Sequence, residues 1–141
     1  MDKRLLRVLD VNYNRAKEAL RVLEDIFRFI WENKPATKKT RDIRHKLTDI
    51  FKDKAILKKM LKERNAQKDI GRRPDKLEMP RKDIDSLRYA NFQRAKESLR
   101  VLEEILKLID KKSACKMKYL RYNCYSLEQY AEEKRPVLSD N

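Results

Sequence analysis

The sequence predicts an all-α fold in which one helical hairpin is duplicated, giving a four-helix core with one short additional helix. Three observations carry this expectation. The 141 residues include one glycine, Gly71, and four prolines. A sheet protein of this length would need many more turn-forming residues. Apolar residues recur at three- and four-residue steps, the stripe of an amphipathic helix. A long segment also occurs twice. Asn12-Tyr-Asn-Arg-Ala-Lys-Glu-Ala-Leu-Arg-Val-Leu-Glu24 aligns with Asn91-Phe-Gln-Arg-Ala-Lys-Glu-Ser-Leu-Arg-Val-Leu-Glu103. Helical propensity accounts for shared Leu and Glu, but not for Asn-x-x-Arg-Ala-Lys-Glu in both copies. A weaker echo comes after each copy, Ile43-Arg44-His45 and Leu120-Arg121-Tyr122. The unit is therefore a long helix plus a returning helix, and the pair admits pseudo-two-fold symmetry.

The elements run in order along the chain. Helix one is expected from about Asp2 or Val11 to Trp31, with Ala16, Leu20, Leu23, Phe27 and Ile30 inward and Pro35 as its stop. Helix two runs from about Thr37 to Phe51, with Ile43, Leu47 and Ile50 inward. A shorter helix spans Lys54–Lys62. Residues 64–82 contain the glycine and two prolines and form the long connection. Helix four is expected from about Ile84 to Asp110, and helix five from about Ser113 to Glu133. The whole of 1–141 reads as one domain: repeat one at about 2–52, a connection at 53–82, repeat two at 83–134 and a loose tail at 135–141.

Charged residues make up 43% of the chain, and the formal net charge is +14. Interleaved signs fit solvated helix faces and heat tolerance. The positive excess fits an anionic partner: a phosphorylated small molecule, a nucleotide, a nucleic acid or a membrane surface. No run of about eighteen apolar residues is present to span a membrane. Met1–Asp10 is charged throughout, which is unlike a signal peptide. Cys115 and Cys124 would lie about 13.5 Å apart along one helix, too far to bridge within it. Free thiols fit a reducing cytoplasm. A single histidine leaves no basis for a histidine-rich zinc site or a Ser-His-Asp set.

One glycine cannot build a glycine-rich phosphate loop, so any phosphate site here must use arginine and lysine side chains. Asn12 and Asn91 begin the buried stripe of each copy. A buried amide needs a partner, either a cap, an interhelical bond or a substrate. Arg15, Glu18, Arg21 and Glu24 step by three, as do Arg94, Glu97, Arg100 and Glu103. Neighbouring members of each ladder are spaced to pair. Arg15 and Arg94 flank the stripe and are expected to be partly enclosed, where arginine suits bidentate phosphate binding. Arg41, Arg44 and His45 on helix two, and Lys118 and Arg121 on helix five, are expected to face the Arg15 and Arg94 helices across a cleft. Each of these sets also has a plain reading as solvated surface or interhelical glue.

Several stretches together resemble a known family. They are Leu9-Asp10-x-Asn12-x-Asn14-Arg15-Ala16-x-Glu18-x-Leu20-Arg21-Val22-x-Glu24-Asp25, then Arg41-x-x-Arg44-His45-x-Leu47, then Lys68-Asp69-Ile70-Gly71. Ala90-Asn91-Phe92-x-Arg94-Ala95-x-Glu97-x-Leu99-Arg100-Val101-Leu102-Glu103-Glu104 and Leu120-Arg121-Tyr122 complete the pattern. It is similar to the monofunctional hydroxymethylpyrimidine phosphate kinase family of thiamine biosynthesis, a domain also found fused ahead of thiamine-phosphate synthase. The resemblance runs from about Arg7 to Leu127. It implies phosphorylation of hydroxymethylpyrimidine monophosphate by ATP, for which Mg2+ is expected, and no synthase activity from this chain. It does not itself assign the catalytic residues.

On that reading Arg15, Arg44, Arg94 and Arg121 are the expected phosphate-binding, catalytic residues. Asn12, Asn91, Arg21, Arg100 and His45 are expected to hold substrate. Glu18, Glu97 and Asp69 are expected to hold the metal. The partners are a small phosphorylated pyrimidine and ATP. A membrane is not expected and a nucleic acid is disfavoured, while a homodimer stays open. The alternative is a basic helical nucleic-acid-binding or adaptor module without catalysis.

Overall fold

A computed structural model describes residues 1–74 and 80–137. Helix α1 spans Lys3–Asp25 and runs into a π-helical turn at Ile26–Ile30. Helix α2 spans Lys34–Ile50, α3 spans Lys54–Glu63, and a 3-10 turn comes next at Ala66–Lys68. Helix α4 spans Ile84–Leu106 and α5 spans Lys111–Glu133. Among the described residues all regular structure is helical. The expected tail lies partly outside them, as do residues 75–79 of the connection.

Each α-helix starts on a residue whose side chain accepts a first-turn N–H: Asp2, Asn33, Asp53, Asp83 and Asp110. Such caps satisfy donors that the helix itself cannot. They also correct expected boundaries. Pro35 does not stop helix one but sits in the first turn of α2, where its missing N–H costs nothing. The reversal is made at Glu32, whose φ of 53° is left-handed, and Asn33 then caps α2. Asp110 belongs to α5 and not to α4: its carboxylate accepts the N–H groups of Lys112 and Ser113.

The four long helices form a ring. α1 packs on α4 and α2, and α5 packs on α4 and α2, with the α1–α4 seam the most extensive. α3 lies against α1. The Phe27 and Phe92 rings are 6.2 Å apart, and the Arg88 guanidinium lies 5.4 Å from the Trp31 ring. The end of α1 therefore meets the start of α4, so the two copies of the repeat run antiparallel, as a two-fold relation requires. Buried small residues recur at matching places, Ala16 with Ala95 and Ala19 with Ser98. Small side chains on a seam let helix axes approach closely. Leu20, Leu23, Leu99 and Leu102 are fully covered beside them.

Ile30, expected inward, is 44% exposed. The π-turn adds a residue to one helical turn and rotates the end of the segment off the stripe. Ile26 and Phe27 stay buried, and Trp31 packs on Phe27 at 5.1 Å instead.

Candidate functional site

The duplicated charges divide into two sets with different fates. Glu24 and Glu103 are buried. A buried carboxylate needs counter-charge and hydrogen bonds. Glu24 receives Arg44 through Nε and Nη2, both at 3.1 Å from Oε1. Arg21 at 3.4 Å and Arg41 at 3.7 Å complete its shell. In the second copy Glu103 receives Arg100 at 2.8 Å and Arg121 at 3.3 Å. So Arg44 and Arg121, the weak echo in the sequence, do the same job twice: each ties the returning helix to the long one.

The outer members of the ladders behave otherwise. Arg15, Glu18, Arg94 and Glu97 are all exposed. The expected enclosure of Arg15 and Arg94 is not found, because the bundle buries only the stripe beside them. The expected ladder also fails to form. Among the described residues only the last rung of each copy pairs, Arg21–Glu24 and Arg100–Glu103. Among the described residues neither Arg15 nor Arg94 makes an ion pair. A buried carboxylate organises the last rung, whereas solvent competes for the first.

The single expected cleft also resolves into two. Arg41 and Arg44 close on Glu24 along the α1–α2 seam, and Arg121 closes on Glu103 along the α4–α5 seam. These seams lie on opposite flanks of the ring. The α4–α5 seam opens into a cleft of about 430 Å3 lined by Arg100, Glu103, Lys107, Lys111, Ala114, Cys115, Lys118, Arg121 and Tyr122. Desolvation works to lower the pKa of Arg121, but hydrogen bonds to Tyr125 and Glu103 outweigh it and hold the group charged.

Asn12 and Asn91 are buried, and each donates to the carbonyl four residues back in its own helix, Val8 at 2.9 Å and Leu87 at 2.8 Å. Neither is a cap nor an interhelical bond. His45 is exposed on α2.

A third feature belongs to the first copy alone. A groove of about 710 Å3 lies between α1 and residues 64–70, lined among others by Arg4, Arg7, Asp10, Asn14, Glu18, Arg64, Lys68 and Asp69. Glu18 and Asp69, two of the expected metal residues, both line it, while Glu97 does not. Asp10 holds Arg64 through two bonds of 2.7 Å, and the Asp10 hydrogen bond raises the Arg64 pKa. Asp69 turns the Lys68–Gly71 segment by accepting the Gly71 N–H at 2.8 Å. The Asp10–Arg64 pair escapes sequence reasoning because its partners lie 54 residues apart with no local signal. Among the described residues, no three or more His, Cys, Asp or Glu side chains are grouped to hold a metal ion. No helix there is long and apolar enough to cross a membrane.

Fold and site thus define a duplicated α-helical hairpin protein with cation-rich seams. Residues 7–130 match the ThiD2 family, and the chain belongs to that family. It is 36% identical over 125 residues to a protein named thiamine-phosphate synthase from Synechocystis sp. (strain ATCC 27184 / PCC 6803 / Kazusa), an overlap of 88% of this chain and 35% of that one. A thiamine-phosphate synthase from Thermosynechococcus vestitus is 35% identical over 130 residues, covering 90% of this chain and 35% of the relative. One from Rhodopirellula baltica is 32% identical over 136 residues, covering 96% and 36%. The chain therefore spans about a third of the length of these relatives. No solved structure matches it.

Proposed function

We propose that this chain is a kinase of thiamine biosynthesis that transfers the γ-phosphoryl group of ATP to hydroxymethylpyrimidine monophosphate. The observation that carries this reading is the cation surplus along a hairpin seam, where Arg100, Lys107, Lys111, Lys118 and Arg121 converge on one cleft. Family membership and the names of the relatives support the thiamine context.

The chemistry asks for such a surface. The acceptor is a phosphate monoester whose second pKa is about 6, so its oxygen is largely ionised near neutrality and needs no general base. That oxygen attacks the γ-phosphorus, the bond to the β-bridging oxygen breaks, and ADP leaves. The obstacle is charge repulsion, and catalysis consists of positioning and neutralisation. Arg100 and Arg121 offer this in the cleft. Arg15 and Arg94, exposed and free of ion pairs, are available to incoming phosphates.

Magnesium supplies neutralisation of the transferring phosphates when bound. Glu18, Glu97 and Asp69 are all exposed. This suits an ion that arrives on nucleotide phosphates and keeps most of its waters, in place of a resident metal in a protein cage.

The test is an ADP-release assay with ATP, Mg2+ and hydroxymethylpyrimidine monophosphate, with the unphosphorylated alcohol as control. Release with the monophosphate alone is expected. No turnover from protein with an intact helical circular dichroism spectrum overturns the reading. A salt-dependent nucleic-acid titration would then test the binding-module alternative.

A further inference from the structure

The two hairpin seams share their Glu–Arg clasp but differ around it. In the first copy Arg44 commits Nε and Nη2 to Glu24, and two more arginines close over the same carboxylate. In the second copy the matching Arg121 is held only by longer bonds, to Glu103 at 3.3 Å and to the Tyr125 hydroxyl at 3.2 Å. Its Nε is buried without a hydrogen-bond partner among the described residues. A buried donor without an acceptor carries a cost, so the second clasp is the less completely satisfied of the two.

The second copy also has an aromatic surface that the first lacks. Tyr122 stands where the first copy has His45, and Tyr125 where it has Thr48. Both tyrosines are exposed, at 53% and 41%. Their rings meet edge to face at 5.8 Å, and the Arg121 guanidinium lies 5.2 Å from one and 5.7 Å from the other. Thr48, by contrast, turns its hydroxyl back to the Arg44 carbonyl at 3.1 Å. Tyr122 lines the basic cleft, with Tyr125 beside it on the flanking surface, and an exposed tyrosine face there suits a heteroaromatic base joined to a phosphate chain. The cleft is lined by five cations against one carboxylate, Glu103, and the exposed Glu104 nearby pairs with Arg100 and Lys107. That surplus matches a triphosphate better than a monophosphate.

We propose that the α4–α5 cleft is the nucleoside triphosphate site, with the base on Tyr122 and the phosphates between Arg100, Lys118 and Arg121, and that the α1–α2 seam is structural only. This rests on the kinase reading for its role in turnover, but binding is measurable without it.

Calorimetric titration of the full chain with the non-hydrolysable analogue AMP-PNP, and separately with tripolyphosphate, tests the assignment. Tyr122→Leu is expected to weaken AMP-PNP about tenfold and leave tripolyphosphate within about twofold. Lys118→Ala is expected to weaken both about five- to tenfold. Arg41→Ala, at the position matching Lys118, is expected to leave both within about twofold. Tyr122 and Lys118 are exposed, and Arg41 is half-exposed and leaves Arg21 and Arg44 on Glu24 when removed, so folding is preserved in all three. Cys115 is exposed and lines the cleft, giving a native reporter: AMP-PNP should slow its alkylation at least about fivefold. Three outcomes overturn the assignment: no AMP-PNP binding by the unmodified chain, loss on Arg41→Ala with none on Lys118→Ala, or full binding without protection of Cys115. AMP-PNP binding with the expected variant pattern but no turnover would refute the kinase reading and leave the site standing. Turnover whose KM for ATP is unmoved by Tyr122→Leu and Lys118→Ala would do the reverse.

Discussion

Replacing Glu103 by glutamine isolates the clasp of the second hairpin. The exchange keeps volume and one carbonyl acceptor, so no cavity forms; the charge is lost and the second accepting oxygen becomes an NH2 donor facing the arginines. The side chains of Glu103 and Arg121 are 3% and 6% exposed, so the arginine would stay buried without its counter-charge. Removing one partner of a buried pair costs about 3–5 kcal/mol. Here Arg121 keeps its Tyr125 bond and borders an open cleft, so about 2–3 kcal/mol is expected. The neighbour Glu104 provides the control. It pairs with Lys107 at 2.7 Å, but both side chains are 52% exposed. Glu104→Gln should therefore shift the unfolding midpoint far less than Glu103→Gln does. Urea unfolding followed by helical circular dichroism measures both, with an unchanged slope showing that the two-state comparison holds. Adding Arg121→Met to Glu103→Gln should recover part of the loss, since neither charge then remains buried. If Glu103→Gln falls within about 0.5 kcal/mol of Glu104→Gln, the clasp is not a structural element and does not hold the hairpin together.

Arg94→Ala should leave stability within about 0.5 kcal/mol, because the side chain is exposed without an ion pair, yet lower turnover at least about tenfold. Turnover within about twofold of the unmodified chain would remove Arg94 from the phosphate-binding set. Burial pushes the Cys124 thiol up to about 12, so one equivalent of alkylating reagent should react in the folded chain near pH 8, at Cys115, and two after denaturation. Rapid labelling of Cys124 in the folded chain would contradict its burial. The Arg88 hydrogen bond holds the Glu132 carboxyl below its ordinary value of 4.5. Its stabilising effect is thus fully present above that value and fades as pH falls through the lowered one. Glu132→Gln should flatten that part of the acid-unfolding curve, and an unchanged curve would show that the pair contributes nothing.

The repeat is legible from the chain, because Asn12–Glu24 and Asn91–Glu103 share polar residues that helix propensity does not demand. The apolar stripe places Leu20 and Leu23 inward correctly, since periodicity reports which face must leave water. Helix boundaries are less legible. Asn33 and Asp110 both carry cap chemistry, but a proline two residues past Asn33 reads equally as a stop, and Asp110 reads equally as the end of the preceding helix. Only the cap hydrogen bonds separate those readings. Periodicity also cannot anticipate the π-turn that carries Ile30 outward.

For the site, the residues alone settle which chemical groups are on hand: arginines in matched pairs, few glycines, and no metal-ligand spacing. They do not tell which arginines are taken up by structure. That choice depends on burial, which emerges only when the helices pack. Packing buries Glu24 and Glu103, and each draws in the arginines nearest to it, while Arg15 and Arg94, a few turns away on the same helices, stay in water. Packing likewise joins Asp10 to Arg64 across the chain and sets Tyr122 and Tyr125 beside Arg121. Spacing along the chain fixes neighbours on one helix, but a low-dielectric seam between two helices decides which charges must find partners.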